Sequence, residues 1–313
     1  MSTKTGIEWT DATWNPVTGC SKVSQGCKHC YAERDWARLS ALRVRPTAYT
    51  GRAFTDVACH PERLAEPLRW AKPRRIFVNS MSDLFHEDVS DFFLVDVFAV
   101  MAAAERHTFQ ILTKRPARMR ELLRNRGFID EVARKTRFEH GVTWLPLDYF
   151  DQLTNVWLGV SVEDQATADE RIPLLLDAPA AVRWISAEPL LGPVDVSRWL
   201  DDGRNEMALA GTLDWVVVGG ESGPHARPMH PGWVRSLRDQ CAAAGVPFLF
   251  KQWGQWLPLG KDPTALQTES RRHGHTVSCC SWPDGETAIF IGKKAAGRLL
   301  DGVLHDGYPQ SAA

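Results

Sequence analysis

The chain has 313 residues, 44% of them apolar, enough for a sizeable core in one large α/β domain or two smaller ones. Its 37 Lys and Arg against 38 Asp and Glu leave a net charge of −1, which excludes a global attraction to nucleic acid and leaves only local patches. No apolar run approaches the ~20 residues that span a bilayer, and Met1 to Trp9 lacks the apolar stretch of a signal peptide, so no membrane partner and a cytoplasmic setting are expected.

Residues 7–15 alternate apolar and polar side chains, which predicts a first strand, broken by Asn15-Pro16 and Gly19. Cys20, Cys27 and Cys30 follow on a loop, and Tyr31 to Leu42 has helical spacing. In a reducing compartment such a cluster, three of an odd total of seven thiols, binds metal or does redox chemistry more often than it forms disulfides. Cys59 and Cys241 read as buried thiols, and the adjacent pair Cys279-Cys280 has poor geometry for joint ligation. A short helix is expected from Glu62 to Ala71. The strand Arg74 to Ser80 leads into Ser82 and Asp83, the helix Asp91 to Arg106 follows, and the strand Phe109 to Thr113 ends in Lys114 and Arg115. A basic helix then carries Arg118, Arg120, Arg124 and Arg126, and 127–153 reads as an insertion with Trp144 packed on the body. Further strands are Val156 to Ser161, leading to Glu163; Val182 to Glu188; Trp215 to Gly219, leading to Gly220 and Glu221; and Val246 to Gln252, leading to Trp253. Helices are expected at about 166–176 and 231–244, and the polar tail holds a strand and short helix after Thr287.

These strands recur at intervals of about thirty residues, the spacing of βα units, and their apolar runs suit a sheet covered on both faces. Polar residues repeatedly follow the C-terminal strand ends, which in a parallel barrel converge on one face. Three thiolates on one loop can hold soft metal: an iron–sulfur cluster with one iron left open, or a zinc ion with His29 or a distant Cys as fourth ligand. Structural zinc usually uses two spaced pairs, and there is no second Cys-x-x-Cys. Ser80 and Ser222 lack a nucleophile-elbow context, which argues against a hydrolase.

A cysteine triplet after the first strand of a βα barrel resembles the radical S-adenosylmethionine (SAM) superfamily. The usual spacing there is three residues and then two; here it is six and two, with His29 where an aromatic commonly stands. The stretches Trp9 to Cys20, Gly26 to Glu33, Gly219 to Gly223 and Phe250 to Gly254 are more closely similar to a little-characterised phage-associated family placed near spore photoproduct lyase. The resemblance spans most of residues 6–255. It implies a partial (β/α) barrel of about six to seven parallel strands over residues 1–255, with the cluster loop at 20–30, and an extension at 256–313 packed on it. It also implies a 4Fe-4S cluster on Cys20, Cys27 and Cys30, with SAM on the fourth iron. One electron, from a reductant such as flavodoxin or ferredoxin, then yields a 5′-deoxyadenosyl radical that abstracts hydrogen from a substrate.

Strand-end placement suggests roles around that cofactor. Ser80, Ser82 and Asp83 suit the methionine ammonium, Ser161 and Glu163 the ribose hydroxyls, and Gly219, Gly220 and Glu221 a close backbone approach. Lys114, Arg115, Glu188, Lys251, Gln252 and Trp253 are read as substrate-side groups, with Trp253 and Trp256 able to stack on a base. The arginine row at 115–126, with Arg74, Arg75 and Arg134 to Arg137, suggests a local nucleic-acid surface and hence a nucleic-acid or nucleotide substrate. The competing reading is a zinc-stabilised, phage-derived nucleic-acid-binding protein without catalysis.

Overall fold

A computed structural model of the chain describes residues 5–42, 47–142, 153–200, 211–273 and 277–309. The first strands are β1 (Ala12–Trp14), β2 (Val17–Thr18), β3 (Ala58–Cys59), β4 (Arg75–Val78) and β5 (Thr108–Thr113). Then come β6 (Val156–Ser161), β7 (Val182–Ala187), β8 (Trp215–Gly219) and β9 (Phe248–Gln252), followed by β10 (Trp256–Gly260), β11 (Cys279–Ser281) and β12 (Thr287–Phe290). The helices are α1 (Tyr31–Ser40), α2 (Asp91–Ala103), α3 (Pro116–Arg124), α4 (Arg126–His140), α5 (Gln165–Leu176), α6 (Pro231–Ala244), α7 (Pro263–His273) and α8 (Lys293–Ala296).

One seven-stranded sheet runs β1-β4-β5-β6-β7-β8-β9, with every neighbouring pair parallel. The order never reverses, so there is no switch point of the kind that sends helices to both faces of an open sheet. Alternate strand residues explain the result. Ile76, Ile111, Leu158, Ile185 and Val216 face outward and join one core with α2 to α6. Phe77, Trp157, Trp184, Trp215 and Leu249 face inward and pack on one another and on Trp9, with no helix among them. A sheet that buries its inner face against itself must curl, and the result is the expected half-barrel.

Local chemistry sets the helix ends. The Ser90 hydroxyl accepts from Phe93 N–H at the start of α2, and Asp164 and Thr167 form a reciprocal capping box on α5. Helix α4 begins at an Asn125 cap, ends at Gly141 in the left-handed region and packs on α2. Much of the stretch read as an insertion is therefore an ordinary helix; Trp144 lies outside the described residues. The first strand is shorter than alternation suggested, because Glu8 and Trp9 sit in a turn. The helix expected at 62–71 is instead two 3₁₀ turns, each opening on a proline that has no N–H to continue a helical ladder.

Among the described residues no helix is long and apolar enough to cross a membrane. The C-terminal residues build a small antiparallel sheet, β10-β12-β11. Residues 305–307 then pair antiparallel with β9, the free edge of the main sheet: Phe250 N–H donates to His305 O at 3.0 Å and Gly307 N–H to Phe248 O at 3.0 Å. Tyr308 packs on the inner aromatic cluster, donates to Glu8 O at 3.1 Å, and lies under the Arg75 guanidinium at 4.3 Å from its ring centre. The segment thus reaches from the β9 edge to the β1–β4 edge.

Candidate functional site

The interior of the half-barrel is layered by strand register. Trp157 and Trp215 pack against Trp184 and Trp9 as an aromatic floor. Two steps further along β6 and β7 from Gly159 and Trp184, the facing positions are Ser161 and Ser186. The strand ends thus change from apolar to polar along the barrel axis. Above the floor lies a cavity of about 360 Å³ whose lining includes Trp9, Ser161, Ser186, Glu188 and Gln252, with His29 and Cys30 from the cysteine loop.

That loop is held from below and from both sides. Glu163 is fully buried and accepts from Ser24 Oγ at 2.9 Å and from Arg171 Nη1 at 3.1 and 3.2 Å. Gly26 lies directly over it: a Cβ there would sit 2.4 Å from Glu163 Oε1, so only glycine permits this approach. On one side Arg115 donates to Ser21 Oγ at 2.7 Å and to Cys20 Sγ at 3.7 Å, and is itself paired with Asp83 and Glu87. On the other, Glu221 bonds His29 Nδ1 at 3.1 Å and receives a two-point contact from Arg227, whose Nη2 also donates to Gln25 O at 2.9 Å. Burial works against the Glu221 carboxylate, but its bonds from Arg227 and His29 hold it below the usual range.

Cys20, Cys27 and Cys30 are unpaired and partly buried. Burial, followed by the Asp83 carboxylate, pushes the Cys20 thiol up to about 11; burial also raises Cys30, and the charge of Cys27 adds to both. Among the described residues no three His, Cys, Asp or Glu side chains are gathered closely enough to hold one metal ion. His29, the nearby candidate for a fourth zinc ligand, bonds Glu221 through Nδ1 at 3.1 Å. A four-iron cluster takes each of its ligands at a separate corner of a cube rather than at one ion. The donor set, three unbridged thiols with a guanidinium beside one of them, fits such a cluster.

The other sequence-predicted residues divide between cavity and scaffold. Lys114, Ser161, Glu188, Gly220, Glu221, Lys251 and Gln252 line the cavity. The remaining candidates are engaged by groups of the protein itself. Ser80 and Ser82 turn away from the cavity, donating to Asn15 Oδ1 at 3.1 Å and to Val17 O at 2.9 Å. Asp83 accepts from Thr113 Oγ1 at 2.7 Å and Lys114 N–H at 3.0 Å, tying the ends of β4 and β5 together. Glu163 has no free face for ribose. Arg115 serves the cysteine loop. Trp253 is buried in the outer core with its indole N–H on Leu299 O, so it cannot stack on a base. Gly219 leaves room for Glu188, and a Cβ on Gly220 would lie 2.1 Å from Trp253 O, so both glycines admit neighbouring protein groups, Gly220 while also lining the cavity.

The arginine row is also engaged elsewhere. Arg118 pairs with Asp91, Arg120 and Arg124 with Asp177, Arg126 with Asp130, Arg134 with Glu131 and Lys135 with Asp96. Residues that sequence reasoning missed include Ser24, Ser186, Arg171, Arg227, Arg34 and Lys293. Arg227 and His29 meet across loops 198 positions apart by number, a proximity that no local pattern announces.

The family described as "Protein of unknown function (DUF5131)" matches residues 4–309. The chain belongs to this family. No curated protein matches it. Among solved structures, this family member is similar to spore photoproduct lyase complexed with dinucleoside spore photoproduct: 11% identity, TM-score 0.42, covering 94% of this chain and 72% of that one. A mutant of that lyase with bound AdoMet and dinucleoside spore photoproduct is similar at 11% identity and TM-score 0.41, covering 90% of this chain and 68% of that one.

Proposed function

We propose that this protein is a radical SAM enzyme. The observation that carries the reading is the meeting of three unbridged thiols on one loop with a polar-ended cavity inside a parallel half-barrel, Cys30 lining that cavity. Cys20, Cys27 and Cys30 would hold a 4Fe-4S cluster. When bound, the cluster and SAM supply one-electron cleavage of SAM and hydrogen abstraction from a substrate.

The chain's own residues set the conditions. Arg115 donates to Cys20 Sγ and fixes Ser21, so that sulfur is held beside a positive charge. Glu163 holds Ser24 in the long gap between Cys20 and Cys27. The aromatic floor closes the barrel to water from below, and Lys114, Ser161, Ser186 and Glu188 offer polar contacts above it. A flavodoxin- or ferredoxin-type reductant supplies the electron, and a nucleic acid or nucleotide is the proposed substrate.

The test is anaerobic purification and reconstitution. About four irons per chain, absorption near ~400 nm and 5′-deoxyadenosine formed on reduction with SAM are expected; Cys27→Ala should lose both the iron and the product. A colourless protein carrying one zinc would overturn the reading.

A further inference from the structure

The cavity is more basic than the chain that forms it. Its lining sets Arg34, Lys114, Lys251 and Lys293 against Glu188 and Glu221, in a chain of net charge −1. Both carboxylates are already taken by protein donors. Glu188 accepts from Lys251 Nζ at 2.8 Å and from Gln252 Nε2 at 3.1 Å, and Glu221 is held by Arg227 and His29. Arg34, Lys114 and Lys293 are left in excess. The Lys114 side chain is 20% exposed, and its Nζ lies 3.7 Å from a Glu163 carboxylate that Arg171 already pairs. The Arg34 and Lys293 side chains are 45% and 44% exposed, so they stand at the mouth, where the lining meets solvent.

The fold places these two mouth cations. Arg34 projects from α1, and its Nη1 donates to Ser222 O at 3.3 Å in the loop after β8. A Cβ on Gly223 would lie 2.5 Å from that Nη1, and the φ of 117° there favours glycine, so bare backbone leaves the space that the guanidinium fills. Lys293 opens α8 with its N–H on Gln255 Oε1 at 3.1 Å, and Gln255 N–H donates to Glu221 O at 3.2 Å. The two footings, Ser222 and Gln255, thus belong to loops bonded to each other beyond β8 and β9. Each cation has one acidic neighbour, Asp35 at 3.7 Å and Glu8 at 3.4 Å, and keeps donors to spare, since a guanidinium has five N–H groups and an ammonium three.

We infer that Arg34 and Lys293 form a phosphate clamp at the cavity mouth, holding the phosphate of a nucleotide unit whose nucleoside enters the cavity. A phosphate ester keeps its charge at neutral pH, stays partly hydrated at a half-exposed site and accepts from a planar guanidinium at two points. A neutral nucleoside would leave both cations unused. This inference rests on the cavity being the substrate site of the proposed enzyme. The phosphate has two sources, the backbone of a strand or the single phosphate of a mononucleotide.

Calorimetric titration of the anaerobically prepared full chain separates them. The probes are a short DNA strand of mixed sequence against the same strand with neutral methylphosphonate linkages, nucleoside 5′-monophosphates against the nucleosides, and S-adenosylhomocysteine. Wild type should bind the charged member of a pair about tenfold or more tightly. Arg34→Gln and Lys293→Gln should each weaken that binding about fivefold in about 0.1 M salt and lower the slope of log affinity against log salt by about 0.7. Both variants should bind S-adenosylhomocysteine as wild type does. Tight binding of the strand alone marks a polymer; a monophosphate bound as tightly as the strand marks a mononucleotide. Equal affinity of wild type for charged and neutral members, no binding of any phosphate probe, or variants that lose S-adenosylhomocysteine rather than the phosphate probe each overturn the inference. The comparison of charged with neutral probes uses wild type alone and does not depend on a variant folding. If iron and 5′-deoxyadenosine are found without a preference for phosphate, only the clamp fails. A preference for phosphate in a protein that holds no iron would leave the clamp standing and remove the enzyme.

Discussion

Glu163 illustrates how one register position decides a residue's job. As a carboxylate just past a strand end it reads as a ligand group, yet it is fully buried between Ser24 and Arg171. Removing Arg171 takes the nearer of two cations from a buried carboxylate and leaves only Lys114 Nζ at 3.7 Å. Arg171→Met should therefore cost about 3–5 kcal/mol of stability, measured by denaturant unfolding. Gly26→Ala should act differently, since a Cβ there meets Glu163 at 2.4 Å. The loop must lift, and we expect lower iron content after reconstitution while the thermal midpoint of the body changes little. The three thiols were legible in the sequence because their spacing is local. Which strand-end side chains face the cavity was not, because Ser80 and Ser161 look alike until pairing with neighbouring strands shows that one turns to Asn15 and the other to the interior.

Helices and strands were more readable than the segments that brace them. The parallel strands announce themselves as short apolar runs, and β4 to β9 match the predicted stretches, β5 starting one residue earlier at Thr108. The basic helices α3 and α4 are paired with acidic residues Asp91, Asp96 and Asp177 that lie on or beside other helices, and charge patterning along one element cannot reveal such partners. The C-terminal extension is fastened to α6 in a similar way. Asp301 receives Arg235 and Arg238, and the Arg235 hydrogen bond, with that of Arg238, holds its carboxyl below the ordinary value of 3.8. A carboxyl depressed in the folded state contributes stability that is present above 3.8 and is lost as pH falls through the lower folded value. Asp301→Asn keeps a residue tolerant of the left-handed φ of 52° found here. Its melting temperature should lie below that of wild type at neutral pH, and the two curves should converge in acid.

At the scale of the molecule, the sheet is a trough whose long open side is crossed by residues 305–308. Tyr308 contributes a half-buried ring to the floor and ties itself to Glu8. Tyr308→Ala should lower stability by about 2 kcal/mol and should quicken hydrogen exchange of β9 amides, read by mass spectrometry. The half-barrel follows from strand order, of which the spacing foretold only the repeated βα units; this crossing piece did not show, since 305–308 carries no strand-like run of its own.

That crossing also has a bearing on biosynthesis. The hydrogen bond from Tyr308 to Glu8 joins positions 300 residues apart, so some 300 residues of chain must leave the ribosome before the two rims can be tied. Until then the tryptophans of the trough lack their cover, and contacts of such long range form slowly. Slow emergence of the stretch that leads to Tyr308 would prolong the interval in which the unclosed trough can stick to its neighbours, and chaperone demand should track that interval.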